Sequence, residues 1–269
     1  CRYYCEDVTS KDLTDTPFLQ ACRCEPAAHV PVWFMRQAGR SLPEYRALRK
    51  EGSILDAIKK PDVSAEITMQ PIRRYGVDAA ILYSDIIVPV HAVGFGVDIQ
   101  PGVGPVTENP FRSIRDLQRL RELDPAQDTP YVLETIKICV EQLDIPLIGF
   151  AGGPFTIASY LIEGGPSRTY KETKQLMFED PELWGNLMDR LTEICTRSLL
   201  SQIDAGVSAV QLFDSWVGAL SPSQYIRFVF PWVEKMFKEI SSTGVPKIHF
   251  GVVTGELLHL MSEVGADVV

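Results

Sequence analysis

Short apolar runs in this chain are followed by residues equipped to handle a charged ligand. Pro31–Met35 leads into Arg36-Gln37-Ala38-Gly39-Arg40, and Ala79–Tyr83 leads into Ser84-Asp85. Pro146–Phe150 leads into Ala151-Gly152-Gly153, and Ala209–Phe213 into Asp214-Ser215. A guanidinium grips a carboxylate through a two-point fork, so Arg36 and Arg40, flanking Gly39 in one short loop, suit a ligand with acid groups. The formal charge is −9, from 26 Lys+Arg against 35 Asp+Glu. A chain this acidic repels anions in general, so binding one requires a local arginine cluster that reverses the field. Each residue also has a plainer reading. Asp85 and Ser215 suit turns, Tyr160 suits a helix core, and a lone His249 at the end of a run suits a structural hydrogen bond.

What would bring these loops together is the pattern of elements between them. The runs, with a further one at Pro246–Phe250 and another beginning at Ala266–Val269, are apolar at nearly every position. That is the signature of parallel strands buried on both faces. The intervening segments read as helices. Asp180-Pro181 supplies a cap and a first-turn proline, Trp184, Leu187, Met188, Leu191, Ile194 and Cys195 follow at helical spacing, and Gly206 ends the element. Pro61 opens a helix that Gly76 closes, with Pro71 expected to kink it, and a short helix is expected from Gly255 to Val264. The glycines at 94, 96, 102 and 104 read as a hairpin insertion rather than a phosphate cradle. Alternating strands and helices over 269 residues mean an α/β domain, either a barrel of about 250 residues or a doubly wound sheet. In a barrel, the loops after the strands share one mouth, where Arg36, Arg40, Asp85 and Ser215 converge.

Composition narrows the classes. With 45% hydrophobic and 23% charged residues the chain is globular, and its acidity argues against nucleic-acid binding. No stretch reaches the ~18 apolar residues of a membrane span, and the N-terminus lacks a signal pattern, so a cytoplasmic location is expected. Six cysteines are too sparse for a disulfide framework, and Cys22-x-Cys24 is closer than zinc spacing, so no metal is expected. Cys139 and Cys195 lie in helical patterns and are expected in the core. Residues 1–15 read as a disordered or foreign lead and 16–269 as one domain.

Longer motifs carry a resemblance. PVWFMRQAGRSLPEYRALR from Pro31 to Arg49 and GFAGGPFTIASYLIEGGPS from Gly149 to Ser167 resemble the two diagnostic segments of the uroporphyrinogen decarboxylase family. YSDI around Asp85, QLFDSWVG around Ser215 and HFGVVTGELL from His249 are similar to further family segments. The resemblance runs from about Thr16 to Val269. It implies a (β/α)8 TIM barrel, commonly a homodimer, that removes carbon dioxide from the four acetate side chains of uroporphyrinogen to give coproporphyrinogen in porphyrin and haem biosynthesis. No cofactor is implied. Catalytic roles would fall on Asp85 and Arg36. Substrate contacts would come from Arg36, Gln37, Ala38, Gly39, Arg40, Asp85, Phe150, Tyr160, Phe213 and Ser215. The chemistry suits those residue types: a protonated pyrrole takes up the electrons left by carbon dioxide, and an ionised Asp85 favours the resulting cation.

Only five complete runs and part of a sixth are present, so the barrel is expected to be truncated within or after strand six, and the chain to be a fragment of uncertain activity. Two other readings compete. Zinc-dependent methyltransferases acting on cobamide-linked or thiol substrates share the fold and use a His-x-Cys pair, whereas His249 here precedes Phe250-Gly251. A non-catalytic tetrapyrrole-binding remnant is the third.

Overall fold

In a computed structural model, residues 11–35, 41–49 and 52–269 are described. The apolar runs form strands where both faces find cover. β1 (Ala80–Ile81), β4 (Leu147–Gly152), β5 (Ala209–Asp214) and β6 (Lys247–Gly251) make a parallel sheet in that order. β2 (Val97–Gln100) and β3 (Gly104–Thr107) form the expected antiparallel hairpin apart from it. The run at 266–269 begins to extend the sheet through a parallel bridge between Ile248 and Val268. The result is an α/β fold whose strands alternate with helices, Pro61–Tyr75 before β1, Pro130–Gln142 before β4, Pro181–Asp204 before β5 and Phe230–Ser241 before β6.

The two faces of the sheet are covered differently. Leu82, Val210 and Leu212 pack into the large core with Leu187, Leu191, Ile194, Leu199 and Phe237 from the helices. Ile81, Ile148, Ala209 and Ile248 face the other way and meet Phe18, Leu19 and Cys22 of the helix Pro17–Cys22. Each such fully buried aliphatic or aromatic side chain contributes about 1.5–3 kcal/mol. This inner face ends in Phe150, Phe213 and Phe250, which point toward the carboxyl ends of the strands.

Local signals behave as their chemistry dictates. Asp180 accepts the Leu183 N–H at 2.9 Å and caps the helix that starts at Pro181. Gly76 ends Pro61–Tyr75 in the left-handed region, φ 60°. Helix Pro61–Tyr75 continues through Pro71, whose missing N–H leaves the Ile67 carbonyl without its helical donor. One expectation fails. Residues 31–35 form no strand. Val32 donates its N–H to the Asp78 carboxylate at 2.6 Å and accepts the Asp78 N–H at 2.9 Å, so a side chain takes the place of a ladder. Val32 and Phe34 are about half exposed, and burial on both faces is therefore absent.

Candidate active site at the carboxyl ends of the strands

β1 stops short for a reason that shapes the site. Leu82 still gives its N–H to the Ile148 carbonyl at 3.0 Å, while the groups of Tyr83, on the opposite edge of the strand, are held by two hydroxyls: its N–H is accepted by Thr68 at 2.9 Å and its carbonyl takes the Ser64 hydroxyl at 2.8 Å. Both side chains stand on helix Pro61–Tyr75. The vacated edge of β4 is sealed by Gln202, whose carboxamide accepts the Phe150 N–H and donates to the Phe150 carbonyl, each at 2.9 Å. The sheet thus splits between β1 and β4 toward its carboxyl end, with those backbone groups satisfied.

The split admits the Asp85 turn. Asp85 is half-buried, and its Oδ1 accepts the Ile87 N–H at 3.1 Å, so the turn-capping reading of this residue holds. Its neighbour Ile86 rests on Gly152, where an added Cβ would lie 3.1 Å from the Ile86 Cβ. Gly153 in turn abuts the Asp214 carboxyl, and its N–H is accepted by the Phe213 carbonyl at 2.8 Å. The turns after β1, β4 and β5 are therefore neighbours, and Asp85 and Ser215 sit on the same rim of the sheet.

Below that rim lies an aromatic floor. Phe150 meets Phe213 edge to face at 5.1 Å between ring centroids, and Phe213 meets Phe250 at 5.5 Å. Tyr160, on helix Pro154–Glu163, stacks on Trp216 at 3.8 Å and 33°, and Tyr170 closes on the same indole at 5.2 Å. Ser215 is half-buried just before Trp216. Tyr160 is thus a wall residue of the rim and not an interior core side chain.

Three residues were not singled out from the sequence. Arg49 closes the first motif, donates from Nη1 to the Ser53 carbonyl at 2.6 Å, and keeps a buried Nε without a partner among the described residues. Tyr83 contacts the Tyr45 hydroxyl at 3.5 Å. Burial, then the Tyr45 hydroxyl, push the Tyr83 pKa well above the usual phenol value; Arg49 pulls it down and Asp85 adds to the rise. The Tyr83 phenol therefore stays protonated beside Asp85 and Arg49. Phe250 extends the floor by one strand. Being inside a quoted motif was the only sequence signal for Arg49, and strand alternation the only one for Phe250. Arg36, Gln37, Ala38, Gly39 and Arg40 lie outside the described residues.

His249, where a zinc-methyltransferase reading looks for a ligand, turns away from this rim. It is fully buried, packs on Phe237 at 5.5 Å and donates from Nδ1 to the Met261 carbonyl at 3.3 Å.

The family model for uroporphyrinogen decarboxylase (URO-D) matches residues 13–269. The chain belongs to the uroporphyrinogen decarboxylase family. A uroporphyrinogen decarboxylase of Streptomyces avermitilis is 59% identical over 256 residues, covering 95% of this chain and 72% of that protein. Those of Thermobifida fusca and Geobacillus kaustophilus are 58% and 51% identical, each covering 97% of this chain and 73% and 75% of theirs. Among solved structures, a methyltransferase from Methanosarcina mazei superposes with a TM-score of 0.72 at 22% identity, covering 95% of this chain and 74% of its own. At that identity the likeness speaks for the fold alone. The decarboxylase family reading accounts for the motifs, the rim and the aromatic floor together, and the methyltransferase alternative is not favoured.

Proposed function

We propose that the rim of the sheet is a uroporphyrinogen decarboxylase active site, and that residues 16–269 belong to one (β/α)8 barrel domain working as a cytoplasmic homodimer. The substrate is uroporphyrinogen and the product coproporphyrinogen, by loss of four acetate carboxyls. In this reading Arg36 and Arg40 grip acetates, with Gln37, Ala38 and Gly39 forming the loop between them. Arg49 adds a guanidinium whose Nε is still free to donate. Phe150, Phe213 and Phe250 support the apolar body of the macrocycle, while Tyr160 and Ser215 make polar contacts at its edge.

The chemistry needs no group beyond the substrate itself. A proton added to the pyrrole carbon next to the acetate-bearing carbon makes the ring cationic. The bond to carbon dioxide then breaks, and its electron pair passes through the methylene into the ring. A proton taken up by the methylene, with loss of the first from the ring, leaves a methyl group and a neutral pyrrole. Asp85 is the charge that favours the cationic ring, accepting pyrrole N–H groups where the surroundings are half-buried. Protonated Tyr83 beside it excludes a second negative charge.

The observation that carries this reading is the placing of Asp85 in the split between β1 and β4, on the same rim as Ser215 and above an aromatic floor. Asp85→Asn keeps the shape and removes the charge. Anaerobic assays following coproporphyrinogen formation are expected to show a loss of about 100- to 1,000-fold in turnover. Turnover by Asp85→Asn within threefold of the parent chain overturns the assignment.

A further inference from the structure

Behind the rim, on the helix-facing side of the sheet, lies a polar group that the proposed chemistry does not use. Asp214 and His249 are both 0% exposed, and Oδ2 of the carboxylate faces Nε2 of the imidazole at 3.7 Å. Neither facing atom has a hydrogen-bond partner among the described residues, and a polar group buried this way is poor evidence of added stability. Its surroundings suggest a different use. Asp214 Oδ1 accepts the Thr156 hydroxyl at 2.8 Å, and the Thr156 oxygen accepts the Trp216 N–H at 3.2 Å. Trp216 is the indole on which Tyr160 stacks. The far side of the pair is anchored as well, since His249 holds the Met261 carbonyl on helix Leu258–Glu263. Gly153 leaves room for the carboxyl: a Cβ there would lie 2.5 Å from the Asp214 Cγ.

We infer that Thr156, Asp214 and His249 are positioning residues that hold the Ser215–Trp216 corner, and through it Tyr160, in the geometry that receives the tetrapyrrole. The inference rests on the rim being the substrate site. Its direction of action is from the anchored helix through His249 and Asp214 to one hydroxyl. That hydroxyl donates to Asp214 and accepts from the backbone of the corner. None of the three residues touches substrate in this arrangement.

Thr156→Val removes the hydroxyl at nearly constant volume, and Thr156→Ser restores it. The probe is uroporphyrin, the oxidised macrocycle, titrated against the full chain by quenching of tryptophan fluorescence, alongside Tm and the KM and kcat for uroporphyrinogen. Thr156→Val is expected to weaken uroporphyrin binding and raise KM at least tenfold with kcat changed less than threefold, and Thr156→Ser to bind within threefold of the parent. In a Trp216→Ala background the same substitution is expected to have less than a twofold effect, because the backbone N–H stays but the indole through which it sets Tyr160 is gone. Binding by Thr156→Val within twofold of the parent overturns the inference, as does an undiminished effect in the Trp216→Ala background. Should Thr156→Val fail to fold, Thr156→Ala replaces it, since it also removes the hydroxyl that bridges Asp214 and the corner while setting no methyl group against Asp214 Oδ1; binding within twofold of the parent is again fatal. Ser215→Ala separates the two levels. If it weakens binding while Thr156→Val does not, the positioning inference falls alone; if neither weakens binding, the rim reading falls with it.

Discussion

Val253 stands in a conformation that its side chain resists, and replacing it with glycine is expected to stabilise the protein. It lies in the loop after β6 with φ 59° and is 86% exposed. A left-handed conformation costs an ordinary L-residue about 1–2 kcal/mol, and β-branching places Val at the upper end. The loop is held there by its neighbour: a Cβ on Gly218 would lie 2.6 Å from the Val253 carbonyl oxygen, so the two backbones are packed in direct contact. Removing so exposed a side chain forfeits little buried area. Against the relief stands the extra freedom of glycine in the unfolded chain, about 0.5–1 kcal/mol. The net gain is then about 1 kcal/mol, or about 2–4 °C in Tm for a domain of this size. Urea unfolding followed by circular dichroism, with Val253→Ala expected between parent and Val253→Gly, measures it. A lower midpoint for Val253→Gly at unchanged m-value would refute the reasoning, since the valine side chain would then be worth more than its strain.

Other expectations follow from buried polar groups and thiols. Gln202→Leu strands the Phe150 N–H and carbonyl at the split edge of β4. At about 1–3 kcal/mol per orphaned group, a destabilisation of about 2–6 kcal/mol is expected by urea unfolding, and a loss under about 1 kcal/mol would show that water or another side chain takes over. Burial pushes the Cys139 and Cys195 thiols up from 9.0 to about 12. Both folded values lie above the unfolded one, so their contribution is complete below pH 9 and is lost as pH climbs from there toward about 12. The expected slope is about 1.4 kcal/mol per pH unit for each thiol, and Cys139→Ala/Cys195→Ala should flatten it correspondingly. An alkaline slope unchanged in that double variant contradicts the assignment.

How much of this was legible in the sequence depended on whether the cause was local. The runs at 146–150, 209–213 and 246–250 became strands because nothing but burial on both faces was needed. Asp180 capped its helix because the cap lies in the same segment. The run at 79–83 shrank to Ala80–Ile81 because Gln202, on the helix Pro181–Asp204, takes the Phe150 N–H and carbonyl that a longer β1 would meet. No spacing rule predicts that capture. The run at 31–35 lost its ladder to a carboxylate more than forty positions onward, Asp78. At the site, Asp85 and Ser215 were found because residues just after parallel strands share a rim. Asp214 and His249 were harder to place. In strands apolar at almost every position, alternation does not mark which face a polar residue takes. Only the register, with Ile248 opposite Gln211 and Phe250 opposite Phe213, sends His249 to the helices.

The split in the sheet ties fold to substrate. Had β1 continued its ladder, Tyr83 would lie beside Phe150 at the ordinary strand spacing of about 4.8 Å, leaving no gap for the Asp85 turn. A porphyrinogen is broad, carries acid groups around its edge and presents pyrrole N–H groups at its centre. Such a ligand needs width at the rim, an apolar surface beneath it and a single acceptor near the middle. The Gln202 carboxamide, taking both Phe150 backbone groups in place of β1, lets the strands part without orphaning backbone and so supplies the width. The aromatic floor is built from neighbouring strands whose register aligns Phe213 with Phe250. The same gap also sets the electrostatic demand. Asp85 sets one of the carboxylates of a chain with a net charge of −9 in that gap, so holding acetates there calls for cationic groups close to it. Arg49, with its unused Nε and its pull on the Tyr83 phenol, is the described residue that begins to meet that demand.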